Sequence, residues 1–355
     1  MIARDDLKAA VGSGLISEKQ AADLISLSDS RRGARENLAP GDEPFELFKG
    51  FNEIFIVIGL LILSFGWFGV VAPARQYEII NLQNHFLWVT LIGGGLLWLL
   101  SEYFIHKRRM VAPAIALSII FASNAAFGFI AVMSEPFMIA QSDYSSVPFP
   151  LLLATLALGV YWWRFRVPFA MAMIAVGLFA VAIVYTASRG GRVEDISDLF
   201  LLSAGGPFAW ITLVLGLLVF AVAMIFDMSD PHRVTRRSAN GFWLHVVAAP
   251  ALVNTVALSL LDQGGNGSNL ILLGVLAMFA IVAIVIDRRS FLIAAIGYII
   301  VLATTVFQGD SATFTILALG VVLLLLGALW ERIRAHVLRL MPGFVPLHKL
   351  PPSQV

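Results

Sequence analysis

The 355 residues are 59% apolar and only 13% charged, whereas a soluble domain is roughly 45–50% apolar and about 25% charged. A water-soluble core does not account for that balance. A net charge of +1 gives no basis for nucleic-acid binding, and with no cysteine in the chain, disulfides, thiol catalysis and Cys-ligated zinc are excluded.

Residues 1–28 read as a small helical hairpin. Asp5 or Asp6 starts the first helix and Gly12-Ser13-Gly14 ends it. Ser17-Glu18-Lys19-Gln20 has the spacing of a capping box, in which Ser17 and Gln20 satisfy each other's orphan amides. Ala21, Leu24, Ile25 and Ser28 follow at helical spacing. So small a pair holds no core alone, so it is expected to dock on the cytoplasmic loops or on a protein partner. Residues 29–44 (DSRRGARENLAPGDEP) form a polar linker. Phe45, Phe48 and Phe51 then recur every third residue, the stripe of an interfacial helix or of the inner end of a long first span. The first 52 residues contain no apolar signal-peptide core, which leaves insertion to the first span.

Uninterrupted apolar stretches predict ten spans, at about 54–73, 85–104, 111–133, 147–163, 167–187, 208–226, 242–261, 270–286, 290–307 and 313–330. Runs of about 18 or more uncharged residues read as transmembrane helices, because hydrocarbon offers backbone amides no partner outside the helix. The fourth and fifth stretches are separated only by Arg164-Phe165-Arg166, and the eighth and ninth by Asp287-Arg288-Arg289. Fusing either pair would put two or more charges at mid-bilayer, so each site is predicted to be a tight surface turn.

Cytoplasmic segments retain Lys and Arg. With the N-terminus inside, only Arg75, Arg189 and Arg192 of the 24 Lys and Arg residues fall outside. The expected fold is therefore an all-α integral membrane bundle of about ten transmembrane helices (53–331), both termini cytoplasmic, preceded by the small hairpin. The longest outer connection, 188–207, is predicted to hold a short surface helix carrying Val193, Ile196, Leu199 and Phe200, broken by Gly205-Gly206-Pro207. Residues 332–355 form an amphipathic tail. Ile333, Val337 and Leu340 line one face beside Arg332, His336 and Arg339, a pattern suited to anionic lipid headgroups.

Every Asp, Glu, Lys and Arg lies at a span end or in a loop; Glu102, Asp227, Asp287 and Glu331 mark inner helix ends. Of the six histidines only His245 enters a span, at headgroup level beside Trp243 as an interfacial anchor. No catalytic, cofactor-binding or metal-ligating set is expected. The remaining polar signal is uncharged. Asn124 and Asn254 fall at nearly the same depth on outward-running helices, about 18–20 Å in, flanked by Ser123 and Thr255, with Thr304 and Ser64 at similar levels. Pro250 deprives the Val246 carbonyl of its helical donor and marks a candidate kink. This layer reads either as interhelical hydrogen bonding or as a polar path.

The stretch Leu7 to Leu27, with Gly14-Leu15-Ile16-Ser17 ahead of Gln20, resembles the helix pair that opens several bacterial families of eight- to ten-span membrane proteins with no assigned activity. That resemblance implies a bacterial inner-membrane setting and brings no site residues. Ten spans with both ends inside also resemble the drug/metabolite transporter superfamily, built from two five-helix inverted repeats; that likeness is one of count and orientation. The expected role is a non-enzymatic scaffold, accessory or regulatory protein. The alternative is a small-molecule or lipid transporter working at the Asn124/Asn254 level.

Overall fold

The computed structural model describes residues 4–30, 51–71, 79–135, 138–191, 195–202, 206–289, 291, 317, 320–321, 324–343 and 345–352. All regular structure among the described residues is helical: α1 (Arg4–Gly12), α2 (Glu18–Ser30), α3 (Phe51–Val71), α4 (Ile79–Ser101), α5 (Ala112–Met133), α6 (Met138–Gln141), α7 (Pro148–Phe165), α8 (Pro168–Ser188), α9 (Phe208–Met228), α10 (Arg236–Gln263), α11 (Gly265–Ile286) and α12 (Trp330–Leu340). Seven of them, α3, α4, α5, α8, α9, α10 and α11, are long and apolar enough to cross a membrane. The chain is a multi-pass helical membrane protein. The Phe45/Phe48 stripe and the ninth apolar stretch beyond Phe291 lie outside the described residues.

The chain divides into two compact units, one of residues 44–194 and one of residues 1–43 with 195–355. In the first, α5 is the hub, packing against α3, α4, α7 and α8. Its inner surface is small-residue rich: Ala112, Ala114, Ala116, Ala125 and Gly128 are buried, which suits close helix approach where lipid supplies no hydrophobic drive. Tyr161 and Phe165 of α7 fill the core beside Ala114 and Ala170. Tyr161 stacks on Phe121 at 4.6 Å and its hydroxyl meets Ser101 Oγ at 2.9 Å.

Local rules set the helix ends in this unit. Pro113, Pro148 and Pro168 occupy first-turn positions, where the missing N–H costs nothing. Val167, immediately before Pro168, is extended, and Arg166 adopts φ 52; the residue before proline avoids the helical region, so α7 and α8 break at Arg164-Phe165-Arg166. At the end of α4 the backbone widens into a π-helical turn, Glu102–Lys107. The start of α5 has no side-chain cap of its own. Buried Glu53 of α3 supplies one, its Oε2 accepting from the Ala112 amide at 3.1 Å where a helix N-terminus favours an anion.

In the second unit α9 packs along α10, α10 on α11, and α11 on α12. The α1–α2 hairpin belongs here. Ser17 N donates to Gln20 Oε1 at 2.9 Å and Gln20 N to Ser17 Oγ at 3.2 Å, and Gly14 turns the chain at φ +75. The described residues of the 188–207 connection include a 3-10 turn, Ile196–Leu199, capped reciprocally by Asp195 and Asp198. Pro207 stands at the N-cap of α9. α10 runs uninterrupted through Pro250, whose side is exposed.

Candidate functional site

Asn124 lies on α5 about 18 Å from the Ala112 end, on a half-buried face. Its Nδ2 donates to the Thr90 carbonyl of α4 at 3.1 Å. Glycine makes that approach possible. A Cβ on Gly93 would stand 2.9 Å from Asn124 Oδ1 and 3.3 Å from Trp67 Nε1, and one on Gly128 would stand 2.1 Å from Thr90 Cγ2. Beside this junction is a cavity of about 140 Å³, walled by Trp67, Phe68 and Val71 of α3, Phe86 and Val89 of α4, and Asn124 and Phe127 of α5. The Phe127 ring meets Phe68 edge-on at 5.1 Å and Phe86 at 5.2 Å. Trp67 Nε1 and Thr90 Oγ1 are buried and meet no hydrogen-bond partner among the described residues.

The other residues of the polar layer are placed differently. Ser123, next to Asn124, is exposed. Thr255 is buried and spends its hydroxyl on its own helix, donating to the Ala251 carbonyl at 2.6 Å, as Ser64 does to Leu60 at 2.7 Å. Asn254 is half-buried on α10 and is engaged by a partner. Asn124 belongs to one compact unit and Asn254, Thr255 and Pro250 to the other. Thr304 lies outside the described residues.

The second constellation is charged and lies within the other unit. Asp227, in the last turn of α9, is buried together with His245 of α10 and with Arg288, just past α11. His245 Nε2 meets Asp227 Oδ2 at 2.9 Å. Arg288 Nε donates to the same oxygen at 3.0 Å and its Nη2 to Oδ1 at 2.5 Å; Nη2 also reaches the Ser238 carbonyl at 2.9 Å. Since an ionised carboxylate only accepts, the His245 tautomer facing it carries its proton on Nε2. Phe220 and Phe291 stand edge-on to the imidazole at 5.4 and 5.8 Å. No protein-family model, curated protein or solved structure matches the chain.

Neighbouring turns are tied in the same manner. Asp230 accepts from Val234 N, Thr235 N and Thr235 Oγ1 at 3.1, 2.8 and 2.7 Å. Arg233 pairs with Asp287 at 3.0 Å, and Asp287 takes the Trp330 indole N–H at 2.7 Å. Arg334 of α12 is buried, donating to the Ile284 carbonyl at 3.1 Å and to the Pro351 carbonyl. Burial pulls its guanidinium below the ordinary value, while Asp287 and Glu331 act the other way and Arg233 adds to the pull. Burial, then the Asp230 carboxylate, push the Glu18 carboxyl of the hairpin above its ordinary value, against Arg237 and His232.

His245 is not a lipid-facing anchor: its ring is fully buried and meets Asp227 in the last turn of α9. α10 starts at Arg236, its Thr235 cap accepting from Arg237 N at 3.2 Å, so His245 sits more than two turns inside the helix and fully buried. The sequence signal was Thr235 followed by a polar-looking first turn. An apolar count that begins at Phe242 passes over it.

Proposed function

We propose that this chain is a ten-span inner-membrane protein with both ends in the cytoplasm, acting non-enzymatically as a scaffold, accessory or regulatory subunit through its N-terminal hairpin and its tails. The Lys and Arg distribution supports that orientation. The observation that carries the role is the hairpin. It buries Leu7 and Ala21, yet presents Leu15, Leu24 and Leu27 at 79, 43 and 56% exposure. Leucines held outward on a small water-facing hairpin are a docking surface for another protein. The buried charges of the same unit fix the turns beside it, so the hairpin stands on a braced base. Deleting residues 1–44 tests the reading: membrane insertion should persist while co-purifying proteins and the associated phenotype are lost. An unchanged set of co-purifying proteins and an unchanged phenotype would remove it.

The cavity beside Asn124 favours a second reading, a small-molecule or lipid transporter with its polar site at the Asn124/Asn254 level. Its test is flux into reconstituted vesicles with both asparagines changed to leucine; undiminished flux of the transported substrate would dispose of that site.

A further inference from the structure

We propose that the cavity between α3, α4 and α5 is a binding site for a neutral, lipophilic molecule consisting of a single hydroxylated ring. This holds whichever of the two functional readings is correct, since binding requires neither transport nor a protein partner.

Size sets the first limit. A cavity of about 140 Å³ is close to the roughly 150 Å³ apolar cavity that accepts benzene, so the occupant is one six-membered ring, not a nucleotide or a whole lipid. Chemistry sets the second. The walls are aromatic and aliphatic, with Asn124 the one amide and no charged side chain among the lining residues, which selects a neutral guest. Position sets the third: Trp67 lies about 6 Å from the Val71 end of α3, near one boundary of the span, where an amphipathic ring partitions.

The polar groups then specify the substituent. Trp67 Nε1 is a buried donor without a partner among the described residues, and an unmade buried hydrogen bond costs about 1–3 kcal/mol. Asn124 spends its Nδ2 on the Thr90 carbonyl, which leaves Oδ1 as an acceptor. Gly93 lets the two groups approach one another, since a Cβ there would stand 2.9 Å from Oδ1 and 3.3 Å from Nε1, so one bridging atom can reach both. A group that accepts from the indole N–H and donates to the amide oxygen is a hydroxyl. A phenol-type ring answers all of these limits.

The experiment uses the full-length protein in nanodiscs with 4-fluorophenol and 4-fluorotoluene as probes, followed by fluorine NMR. Empty nanodiscs supply the partitioning background. 4-Fluorophenol should bind saturably, and at least tenfold more tightly than 4-fluorotoluene. Trp67→Phe keeps the aromatic wall and removes only the donor. It should weaken 4-fluorophenol about tenfold, the cost of one hydrogen bond, and leave 4-fluorotoluene unchanged. Gly93→Ala, whose methyl would crowd both polar groups, should also weaken 4-fluorophenol, and an unchanged thermal midpoint for Trp67→Phe certifies the fold. Equal affinity for the two probes, an unaltered 4-fluorophenol affinity in Trp67→Phe, or no saturable binding at all (a cavity holding water or an acyl chain) each overturns the proposal.

Discussion

Asp227 accepts from two side chains far apart in sequence, His245, 18 positions on, and Arg288, 61 positions on. Gly241 makes room for it: a Cβ there would fall 2.2 Å from Asp227 Oδ1 and 3.2 Å from the Ala223 carbonyl. The residues were individually legible as helix-end charges and a span histidine. Their convergence was not, because it depends on the register of α9 against α10 and on Asp287 turning the chain at φ 55, neither of which hydropathy encodes. Removing one member of a buried pair leaves the other charge unsatisfied, at a cost of about 3–5 kcal/mol, whereas replacing both with apolar groups is often tolerated. Arg288→Met and Asp227→Leu should each lower the thermal midpoint of the purified protein sharply, and the double variant should regain most of the loss. Additive losses in the double variant would mean that the two residues are not energetically coupled. Asn124 shows the opposite case. Its polarity at depth was plain in the sequence, but its Thr90 bond and the neighbouring Trp67 donor required three helices in place.

Local chemistry was the most readable layer. The Ser17–Gln20 box, the Gly14 turn and the Arg166–Pro168 turn all follow from residue types at fixed offsets, and each forms. α10 begins at Arg236, and the apolar stretch only at 242, because Ser238 and Asn240, both buried, interrupt the apolar pattern. Asp230→Ala tests what holds that start: Val234 N, Thr235 N and Thr235 Oγ1 lose their acceptor, and a loss of about 2 kcal/mol or more is expected, read from the unfolding midpoint in denaturing detergent. The hairpin offers a pH test. Burial and Asp230 raise the Glu18 carboxyl above its ordinary 4.5, so folding favours its protonated form. That contribution is complete below the ordinary value and is lost as pH rises through the raised one. Amide exchange across α2, corrected for its intrinsic pH dependence, should be slowest in mild acid. Glu18→Gln should flatten the profile; an equally steep profile in that variant would assign the effect to another group.

At the scale of the whole molecule the boundary between the two compact units, at residues 194 and 195, falls between the fifth and sixth apolar stretches of the sequence. Among the described residues, the unit of residues 44–194 contains an apolar stretch that composition alone does not assign to the membrane. α7 is an 18-residue helix but is not among the seven that are apolar enough by composition alone: Tyr161, Trp162, Trp163 and Arg164 crowd its last turns. Aromatic residues near a helix end belong to the interface, and Tyr161 and Phe165 are buried against α5 and α8 rather than facing solvent, so α7 should cross with its neighbours. Parity decides the matter. Between Lys107 and Arg236 the chain passes α5, α7, α8 and α9; between Ser145 and Ser197 it passes α7 and α8. If α7 crosses, each pair lies on one side; if α7 lies on the surface, both pairs split. The chain has no cysteine of its own, and all four of these positions are exposed, so single substitutions to cysteine report cleanly. Lys107→Cys and Arg236→Cys should react with an impermeant maleimide only after the membrane is opened, and Ser145→Cys and Ser197→Cys should react on intact cells. Labelling of Lys107→Cys and Arg236→Cys from opposite sides would take α7 out of the bilayer and reverse every assignment that follows it.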